Sequence, residues 1–469
     1  MSETILAKYV RRGIEHLNTD DPLLFELLAE EYHRQANTLT MVAASSIVDP
    51  SVLICDSMVP VNVTAEGYPG ARFHAGCRVI DKIEQLAIAR AKAAFGAQYA
   101  NVQAHSATTA NQIVMCSVLK PGDTLLGMEL NSGGHLTHGS KASISGQYFN
   151  AFGYGLDEAG NINYDQVQRL AHEHKPKLII CGTTAYPRVI DFKRFRDIAD
   201  EVGAYLLADI THIAGLVVAG EHLSPINHAH FTTTCTHKQL YGPRGGLILM
   251  GRDYDRPGPD GSRTLSELIQ KGVFPFFQGA PNLNSIAAKA RALGMVVKPE
   301  FKQLAKRIVA DAKALARCFM EKGYRVITGG SDNHLVVIDV ISNGLTGLIA
   351  ERALEECNIV VNKNRIPGDQ KSALITSGIR IGTNSMALKK MGPDDMPACA
   401  DLVDRVLSSV KVIDDRTYEL DEAVKQSVQA GVSQICKRFP IPCYPYPIES
   451  VEKVDWVYEE PRRAVASLK

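Results

Sequence analysis

Asp209 and Lys238, in the middle of the sequence, are of types that could together activate an aromatic ring and an amine. Asp209 ends the apolar run Tyr205–Asp209, which has the pattern of a buried strand. A carboxylate at a strand end can pair with a pyridinium nitrogen and keep it protonated, so that the ring acts as an electron sink. Taken alone, such an aspartate could equally cap the following turn.

Lys238 lies in the segment TTTCTHKQLYGPRGG, among hydroxyl residues and glycines. Desolvation in such a setting lowers the pKa of a lysine and makes it a usable amine nucleophile. Taken alone, a lysine in this kind of loop is more often a phosphate contact or a surface residue. One further strand and loop after Asp209 would return Lys238 to the same edge of a sheet, and this spacing favours a catalytic role.

A third segment, HSATTAN, places Ser106, Ala107 and Thr108 just before the helical pattern NQIVMCSVL. Small and hydroxyl residues at a helix N-terminus suit an anion, because free N–H groups and the helix dipole point at it. A plain N-cap is the alternative. Together the three segments predict a phosphate site, a pyridine partner and a lysine for an aldehyde, which is the binding set for pyridoxal phosphate.

The elements that must position these residues alternate along the chain. Short apolar runs that predict buried strands are separated by helical patterns, which indicates a mostly parallel sheet covered on both faces. The predicted strands are Thr124–Met128, Leu178–Cys181, Tyr205–Asp209, Gly246–Met250 and, later, Leu335–Val340. The predicted helices include 22–36, 81–95, 164–174 and 192–202, with a further one after Pro281. We therefore predict a helical arm at residues 1–40, a large domain at 41–295 and a small α/β domain at 296–469.

Composition limits the classes of function. The chain has 469 residues, 45% hydrophobic and 22% charged, with a formal net charge of zero. Zero net charge argues against a nucleic-acid or membrane partner that binds through bulk charge. The ten cysteines form no CxxC pair, so no metal site is predicted. We expect a cytoplasmic protein, because no signal peptide or membrane span is evident in the sequence.

The sequence resembles the serine hydroxymethyltransferase family from about Asp21 to at least residue 410. The resemblance is carried by THKQLYGPRGG, ADITHIAGL, GGHLTHGS, YANVQAHS, KPKLIICGTTAYPRVIDF, AEGYPG and TSGIRIGT. It implies the α/β architecture of the fold-type-I, aminotransferase-like enzymes that depend on pyridoxal phosphate. It also implies a homodimer with active sites shared between subunits, with a tetramer as the alternative.

The resemblance assigns roles to individual residues. Lys238 matches the lysine that bonds to the cofactor aldehyde, and Asp209 matches the partner of the pyridine nitrogen. Arg380 matches the arginine that binds the substrate carboxylate, and Glu66 matches an acid–base glutamate from the neighbouring subunit. The remaining cofactor contacts that it implies are His135, which stacks on the ring, His212, Ser106, Ala107, Thr108, Thr184, and the turn Gly279–Ala280 of the partner chain.

Departures from the family pattern fall around the substrate. The family's Ala-Ser-Glu-Asn is Ala43-Ala44-Ser45-Ser46 here, which removes a hydroxyl and a carboxylate at Ala44 and Ser45. Thr64 replaces a tyrosine, and His74 replaces a second tyrosine that lies over the substrate, so His74 is a candidate catalytic and substrate-binding residue. The second glycine of the phosphate turn is Ala280.

Three functions follow from these observations. We expect a diverged enzyme that acts at Cα or Cβ of a non-serine amino acid without folate, by aldol-type transfer, elimination or elimination with cyclisation, in specialised metabolism. The alternative is a genuine serine hydroxymethyltransferase, with tetrahydrofolate as second substrate. Glu66, Leu130, Gly133, Gly134 and Asn364 support it, since their family counterparts lie near folate. A non-catalytic cofactor-binding protein is the third reading, opposed by the intact Lys238, Asp209 and Arg380.

Overall fold

The computed structural model describes residues 4–445; residues 446–469 of the predicted C-terminal domain lie outside the described part. The helices are α1 (Ile5–Asp20), α2 (Pro22–Ala36), α3 (Pro50–Asp56), α4 (Arg78–Phe95), α5 (Ala107–Val118), α6 (Ile144–Tyr148), α7 (Tyr164–His174), α8 (Phe192–Val202), α9 (Ala214–Ala219), α10 (Leu265–Lys271), α11 (Leu283–Val296), α12 (Pro299–Glu321), α13 (Gly347–Glu356), α14 (Asn384–Leu388), α15 (Met396–Leu407) and α16 (Glu422–Arg438). None of these helices is long and apolar enough to cross a membrane.

The strands are β1 (Leu39–Thr40), β2 (Gly67–Tyr68), β3 (Ala71–Arg72), β4 (Tyr99–Asn101), β5 (Thr124–Met128), β6 (Asn150–Tyr154), β7 (Leu178–Gly182), β8 (Tyr205–Asp209), β9 (Phe231–Cys235), β10 (Gly246–Met250), β11 (Arg325–Val326), β12 (Leu335–Asp339), β13 (Ile359–Val360), β14 (Asn362–Asn364), β15 (Gly378–Gly382), β16 (Lys411–Val412) and β17 (Tyr418–Glu419).

The central sheet has the strand order β4-β10-β9-β8-β7-β5-β6. Neighbouring strands pair in parallel through the series β6, β5, β7, β8 and β9, and β10 runs antiparallel to both of its neighbours, β9 and β4. The mostly parallel sheet expected from the sequence is therefore confirmed. Parallel strands present their carboxyl ends at one edge, which is where ligands bind in open α/β sheets.

Both faces of this sheet are covered, as the apolar strands predict. Alternate residues of one strand enter different hydrophobic clusters: Ile179 and Cys181 pack on one side of β7, while Leu178 and Ile180 pack on the other. Helix α5 contributes Ile113 to the second cluster. Because every residue of β7, β9 and β10 is buried, the sheet is a closely packed, rigid support for the loops at its edge.

A second, antiparallel sheet has the order β11-β12-β15-β14. Helices α12, α13, α15 and α16 pack on it in a separate hydrophobic cluster, which gives the smaller α/β unit expected at the C-terminal end. The strand β1 pairs with β13, and Leu39 and Met41 belong to this same cluster. The predicted boundaries at residues 40 and 295 remain predictions.

Element bounds differ from the sequence-based expectations in a few places. Helix α4 begins at Arg78 rather than Asp81, and β12 ends at Asp339. The strand expected between Asp209 and Lys238 is β9, whose bounds the sequence does not predict because FTTTC reads as polar. Its three threonines are fully buried, and their β-branched side chains fit a pleated sheet.

Candidate active site

The residues predicted to do chemistry gather at the carboxyl edge of the central sheet. Asp209 is the last residue of β8, and Lys238 follows β9 by three residues. Thr184 follows β7, and His135 lies in the loop after β5. Four neighbouring strands thus bring these side chains to one edge, as expected for a ligand site in an open α/β sheet.

Asp209 is buried and held by three hydrogen bonds. Its Oδ2 accepts from Asn111 Nδ2 at 2.8 Å and contacts His138 Nε2 at 3.1 Å, and its Oδ1 accepts from the backbone N–H of Thr211 at 3.0 Å. Burial alone would raise the pKa of Asp209, but the bond from His138 and the neighbouring histidines hold that pKa well below its usual range. A carboxylate offers about four acceptor positions, so one remains for a pyridinium N–H.

His135 is connected to the same network through Thr137. The Nδ1 of His135 lies 2.8 Å from Thr137 Oγ1, which also accepts from Asn111 Nδ2 at 2.9 Å. Burial lowers the pKa of His135 to about 4, so its ring is neutral at physiological pH. A neutral ring is suited to stacking on a flat cofactor, the role that the resemblance implies.

Sequence reasoning missed Asn111, Thr137 and His138. Asn111 is fully buried on α5 and also accepts a hydrogen bond from Thr233 Oγ1 at 2.5 Å. A signal was present in GGHLTHGS, where a second histidine follows His135 by three residues. Asn111 gave no signal, because an asparagine inside a helical pattern shows its partner only in three dimensions.

Lys238 contacts His212, so two predicted residues meet directly. Lys238 Nζ lies 2.8 Å from His212 Nε2. Burial, with Arg380 as a nearby positive charge, lowers the pKa of Lys238, which increases the fraction of the neutral amine. Burial and the positive charges of Lys238 and Arg380 hold the pKa of His212 well below its ordinary value. The pair is thus a neutral histidine against an amine poised to act as a nucleophile.

The predicted phosphate segment forms the start of α5. Ser106 is the N-cap, and its Oγ accepts from the backbone N–H of Thr109 at 3.0 Å. The helix has 12 residues, and Asn111, which contacts Asp209, is about 7.5 Å further along its axis. The N–H groups of Ala107 and Thr108 therefore belong to the same helix as the Asn111 side chain that contacts Asp209, the residue that would hold the ring nitrogen.

Arg380 lies on β15 and is oriented by two contacts. Its Nε donates to Asn362 Oδ1 at 3.0 Å, and its Nη1 donates to the carbonyl oxygen of Thr184. Thr184 in turn bonds the loop before His135, with its Oγ1 donating to the carbonyl of Gly134 at 3.0 Å. Burial lowers the pKa of Arg380 to about 10, so the guanidinium remains charged at neutral pH. A half-buried cation with N–H donors left over from its protein contacts suits a carboxylate.

The segment that contains Ala44 and Ser45 runs between Arg380 and Lys238. The carbonyl of Met41 accepts from the backbone N–H of Gly382 at 2.8 Å, and Ser46 Oγ donates to the carbonyl of His237 at 2.5 Å. A Cβ at Gly382 would lie 2.3 Å from Ala43 Cα, so glycine permits this close approach. Ala44 and Ser45 therefore lie in a segment that joins the Gly382 contact to the His237 contact, and their role at the substrate stays a prediction.

Glu66, Thr64 and His74 form a separate group on the hairpin β2–β3. The N–H of Phe73 bonds the carbonyl of Glu66 at 3.1 Å, and Cys77 Sγ contacts the carbonyl of His74 at 3.4 Å. Thr64 and His74 are exposed, as are Gly279 and Ala280. A Cβ at Gly279 would lie 3.4 Å from Glu66 Oε1, so the two segments assigned to the partner chain are neighbours. Within residues 4–445, Glu66 makes no hydrogen bond to Lys238, Asp209 or Arg380.

The side chains at the sheet edge fit pyridoxal phosphate. Asp209 offers a free acceptor for the ring nitrogen, Lys238 an amine for the aldehyde, and the first turn of α5 free N–H groups for the phosphate. His135, His138 and Asp209 also bring potential metal ligand atoms within 4.8 Å of one another, but two of these groups hydrogen-bond each other directly. Fold and site together define a fold-type-I enzyme that depends on pyridoxal phosphate.

Comparisons with known proteins identify the family. The family model described as serine hydroxymethyltransferase matches residues 17–403. The chain is 46% identical over 421 residues to the serine hydroxymethyltransferase of Halorhodospira halophila (strain DSM 244 / SL1), covering 90% of this chain and 97% of that protein. It has the same identity and coverage with the probable serine hydroxymethyltransferase of Rickettsia bellii (strain RML369-C). The chain belongs to the serine hydroxymethyltransferase family.

Proposed function

We propose that this protein transfers the hydroxymethyl group of serine to tetrahydrofolate and leaves glycine, and that it also catalyses the reverse reaction. The observation that carries the proposal is 46% identity, over 90% of the chain, to relatives named serine hydroxymethyltransferase. This similarity favours the alternative from the sequence over the expected non-serine substrate. It lends no support to elimination chemistry or to a role in specialised metabolism.

Pyridoxal phosphate, when bound, supplies an electron sink for the negative charge that develops at the substrate Cα. Asp209 would hold a proton on the ring nitrogen, because its carboxylate stays ionised among its hydrogen-bond donors. Lys238 supplies the amine for the covalent link. Its lowered pKa favours the neutral, nucleophilic form.

Arg380 is proposed to bind and orient the α-carboxylate of the amino acid. The Nε–H and one N–H of Nη1 donate to protein oxygens. The other edge of the guanidinium is left for two parallel hydrogen bonds to the substrate carboxylate. Glu66 is proposed to accept the proton of the serine hydroxyl as the Cα–Cβ bond breaks and to return a proton in the reverse direction. The one-carbon unit would leave as formaldehyde and bond to folate nitrogens with loss of water, while Cα takes up a proton to give glycine.

A cavity beside His135 is the proposed approach for tetrahydrofolate. Its volume is about 320 Å³, and its lining includes Leu130, Asn131 and Arg365. Arg365 Nη1 donates to Asn131 Oδ1, which ties the loop after Asn364 to the loop that carries Gly133 and Gly134. Two of the segments whose family counterparts lie near folate, at residues 130–134 and 364–365, are therefore joined.

We further propose that two copies of the chain complete each active site. The Glu66 and Gly279 segments adjoin each other but make no hydrogen bond to the Lys238 cluster within the described chain. Large apolar side chains near them are exposed, including Phe73 at 75% and Phe276 at 68%. Exposed apolar surface of this kind is typical of a subunit interface.

Cytoplasmic location stays a prediction from the sequence.

A second candidate function is the same bond chemistry on a larger amino acid. It is favoured by the residues at four substrate-side positions, Ala44, Ser45, Thr64 and His74, which are smaller or differently polar than the family pattern. Loss of a tyrosine at Thr64 and of a hydroxyl at Ala44 would open space near Cβ, and a longer side chain would fill it.

A substrate panel separates the two candidates. The measurement is kcat/KM for serine with tetrahydrofolate, compared with longer and α-substituted β-hydroxy amino acids with and without tetrahydrofolate. The proposal expects serine with tetrahydrofolate to have the highest value. A larger amino acid with a higher kcat/KM, unchanged when folate is omitted, would establish the second candidate instead.

A further inference from the structure

His334 is a fully buried histidine that is not among the predicted site residues. It directly precedes β12, and its ring lies against that of His212, with 5.6 Å between ring centroids and 24° between ring planes. Its solvent exposure is 0%, and neither ring nitrogen has a hydrogen-bond partner within residues 4–445. A buried polar atom without a partner costs about 1–3 kcal/mol, so its retention calls for a reason.

The backbone of His334 is fixed to the strand that carries Arg380. Its carbonyl accepts from the N–H of Thr383 at 3.0 Å and from Thr383 Oγ1 at 3.2 Å, and β12 pairs with β15 so that Val337 lies opposite Arg380. His212, in contrast, belongs to the loop after β8 of the central sheet. The ring stack therefore joins the substrate-binding strand of one sheet to the lysine contact of the other.

The neutral state of His334 is consistent with a stacking contact between its ring and that of His212. Burial and the nearby cations Arg380 and Lys238 lower the pKa of His334 to about 3, so the ring is neutral at physiological pH. The backbone of Ala43, whose carbonyl also accepts from Asn384 Nδ2 at 3.1 Å, opposes this lowering of the pKa in part. A neutral ring acts on the neighbouring His212 ring by packing against its face.

The position of the His212 ring matters because it decides where Nε2 points. The Nδ1 of His212 has no partner within the described chain, so the stack on one face and Lys238 at 2.8 Å are what define the ring plane. We propose that His334 is a positioning residue: its flat ring holds His212 in the orientation that places Nε2 against Lys238 Nζ. This inference rests on the proposed role of Lys238 but not on the identity of the substrate.

Three variants of His334 and one control test the proposal in the full-length, cofactor-loaded protein. His334→Phe keeps a flat ring, His334→Leu fills a similar volume without one, and His334→Ala removes both. His222→Leu is the control, because His222 is also a buried histidine, packed 5.8 Å from the Phe192 ring and outside the site. The measurements are the rate at which bound cofactor exchanges with labelled pyridoxal phosphate, kcat for serine, and the unfolding temperature.

We expect His334→Leu and His334→Ala to exchange cofactor roughly fivefold to tenfold faster, the factor for one lost hydrogen bond. Their kcat should fall by about 10²-fold, as for a catalytic group displaced by about 1 Å. His334→Phe should retain most of both properties, and His222→Leu should lower only the unfolding temperature. If the alanine variant does not fold, the leucine variant decides. Folded His334→Leu with wild-type exchange and kcat would overturn the proposal, as would a His334→Phe protein as impaired as His334→Leu. Loss of serine turnover in the wild type with this exchange pattern intact would reject the proposed substrate alone.

Discussion

Replacement of Arg380 by lysine is expected to weaken amino-acid binding while leaving the cofactor link intact. A guanidinium has five N–H donors, of which two contact Asn362 Oδ1 and the carbonyl of Thr184. Three donors remain, enough for two parallel hydrogen bonds to a carboxylate. A lysine ammonium has three donors in all, so retaining both protein contacts would leave one for the substrate.

The magnitude follows from that count. Loss of one hydrogen bond to a charged group costs about 1.5–3 kcal/mol, which raises the dissociation constant about 10- to 150-fold. The assay is a titration of the loaded enzyme with glycine, followed by the visible absorbance of the bound cofactor, with KM for serine measured in parallel. The absorbance before glycine is added should match the wild type.

Arg325→Lys is the matched control for this exchange. Arg325 lies on β11 in the same sheet, its side chain is 66% exposed, and it pairs with Asp339 Oδ2 at 3.1 Å. The control should bind glycine like the wild type. A dissociation constant for Arg380→Lys within about twofold of the wild-type value, well under 1 kcal/mol, would mean that another group holds the carboxylate.

Three further outcomes are expected. Borohydride reduction and peptide mapping should place the cofactor on Lys238, and a label on another lysine would refute the assignment. Mixed dimers of Lys238→Ala and Glu66→Gln should regain partial activity after subunit exchange. If no activity returns although subunit exchange is proven, each site is built from one chain. Because burial lowers the pKa of His334 from 6.5 to about 3, acid favours the unfolded chain, which binds the proton first. The wild type should lose about 2 kcal/mol of unfolding free energy from this residue between about pH 7 and pH 5. Urea titrations at the two pH values should show no such loss in His334→Phe. Equal losses of unfolding free energy in the two proteins would contradict the lowered pKa of His334.

The parts of the site that depend on strand ends could be predicted from the sequence. The apolar run of β8 placed Asp209 at its end, and one more strand and loop brought Lys238 to the same edge. This worked because parallel strands share one carboxyl edge, which makes position along the chain a guide to position in space. The mostly parallel character of the central sheet follows from the same alternation of strands and helices.

Contacts between distant segments could not be predicted. Asn111 and His334 carry no local pattern, and these two residues and His138 each reach the site through a partner more than 70 residues away in sequence. The end of the predicted arm also packs with the smaller unit, because β1 pairs with β13 and Leu39 enters the hydrophobic cluster of the second sheet. Such contacts are decided by tertiary packing, which local periodicity does not contain. The expectation of a non-serine substrate rested on single positions and is disfavoured by similarity along the whole chain.

The most direct test of the central claim is one-carbon transfer from serine to tetrahydrofolate by the purified, cofactor-loaded protein. Serine labelled at Cβ is supplied with saturating tetrahydrofolate, and label in the folate product and the glycine formed are both measured. The proposed function predicts equal amounts of the two products at a turnover within the ordinary enzyme range of about 1 to 10³ per second. Tight binding of glycine without transfer of label to tetrahydrofolate would contradict it.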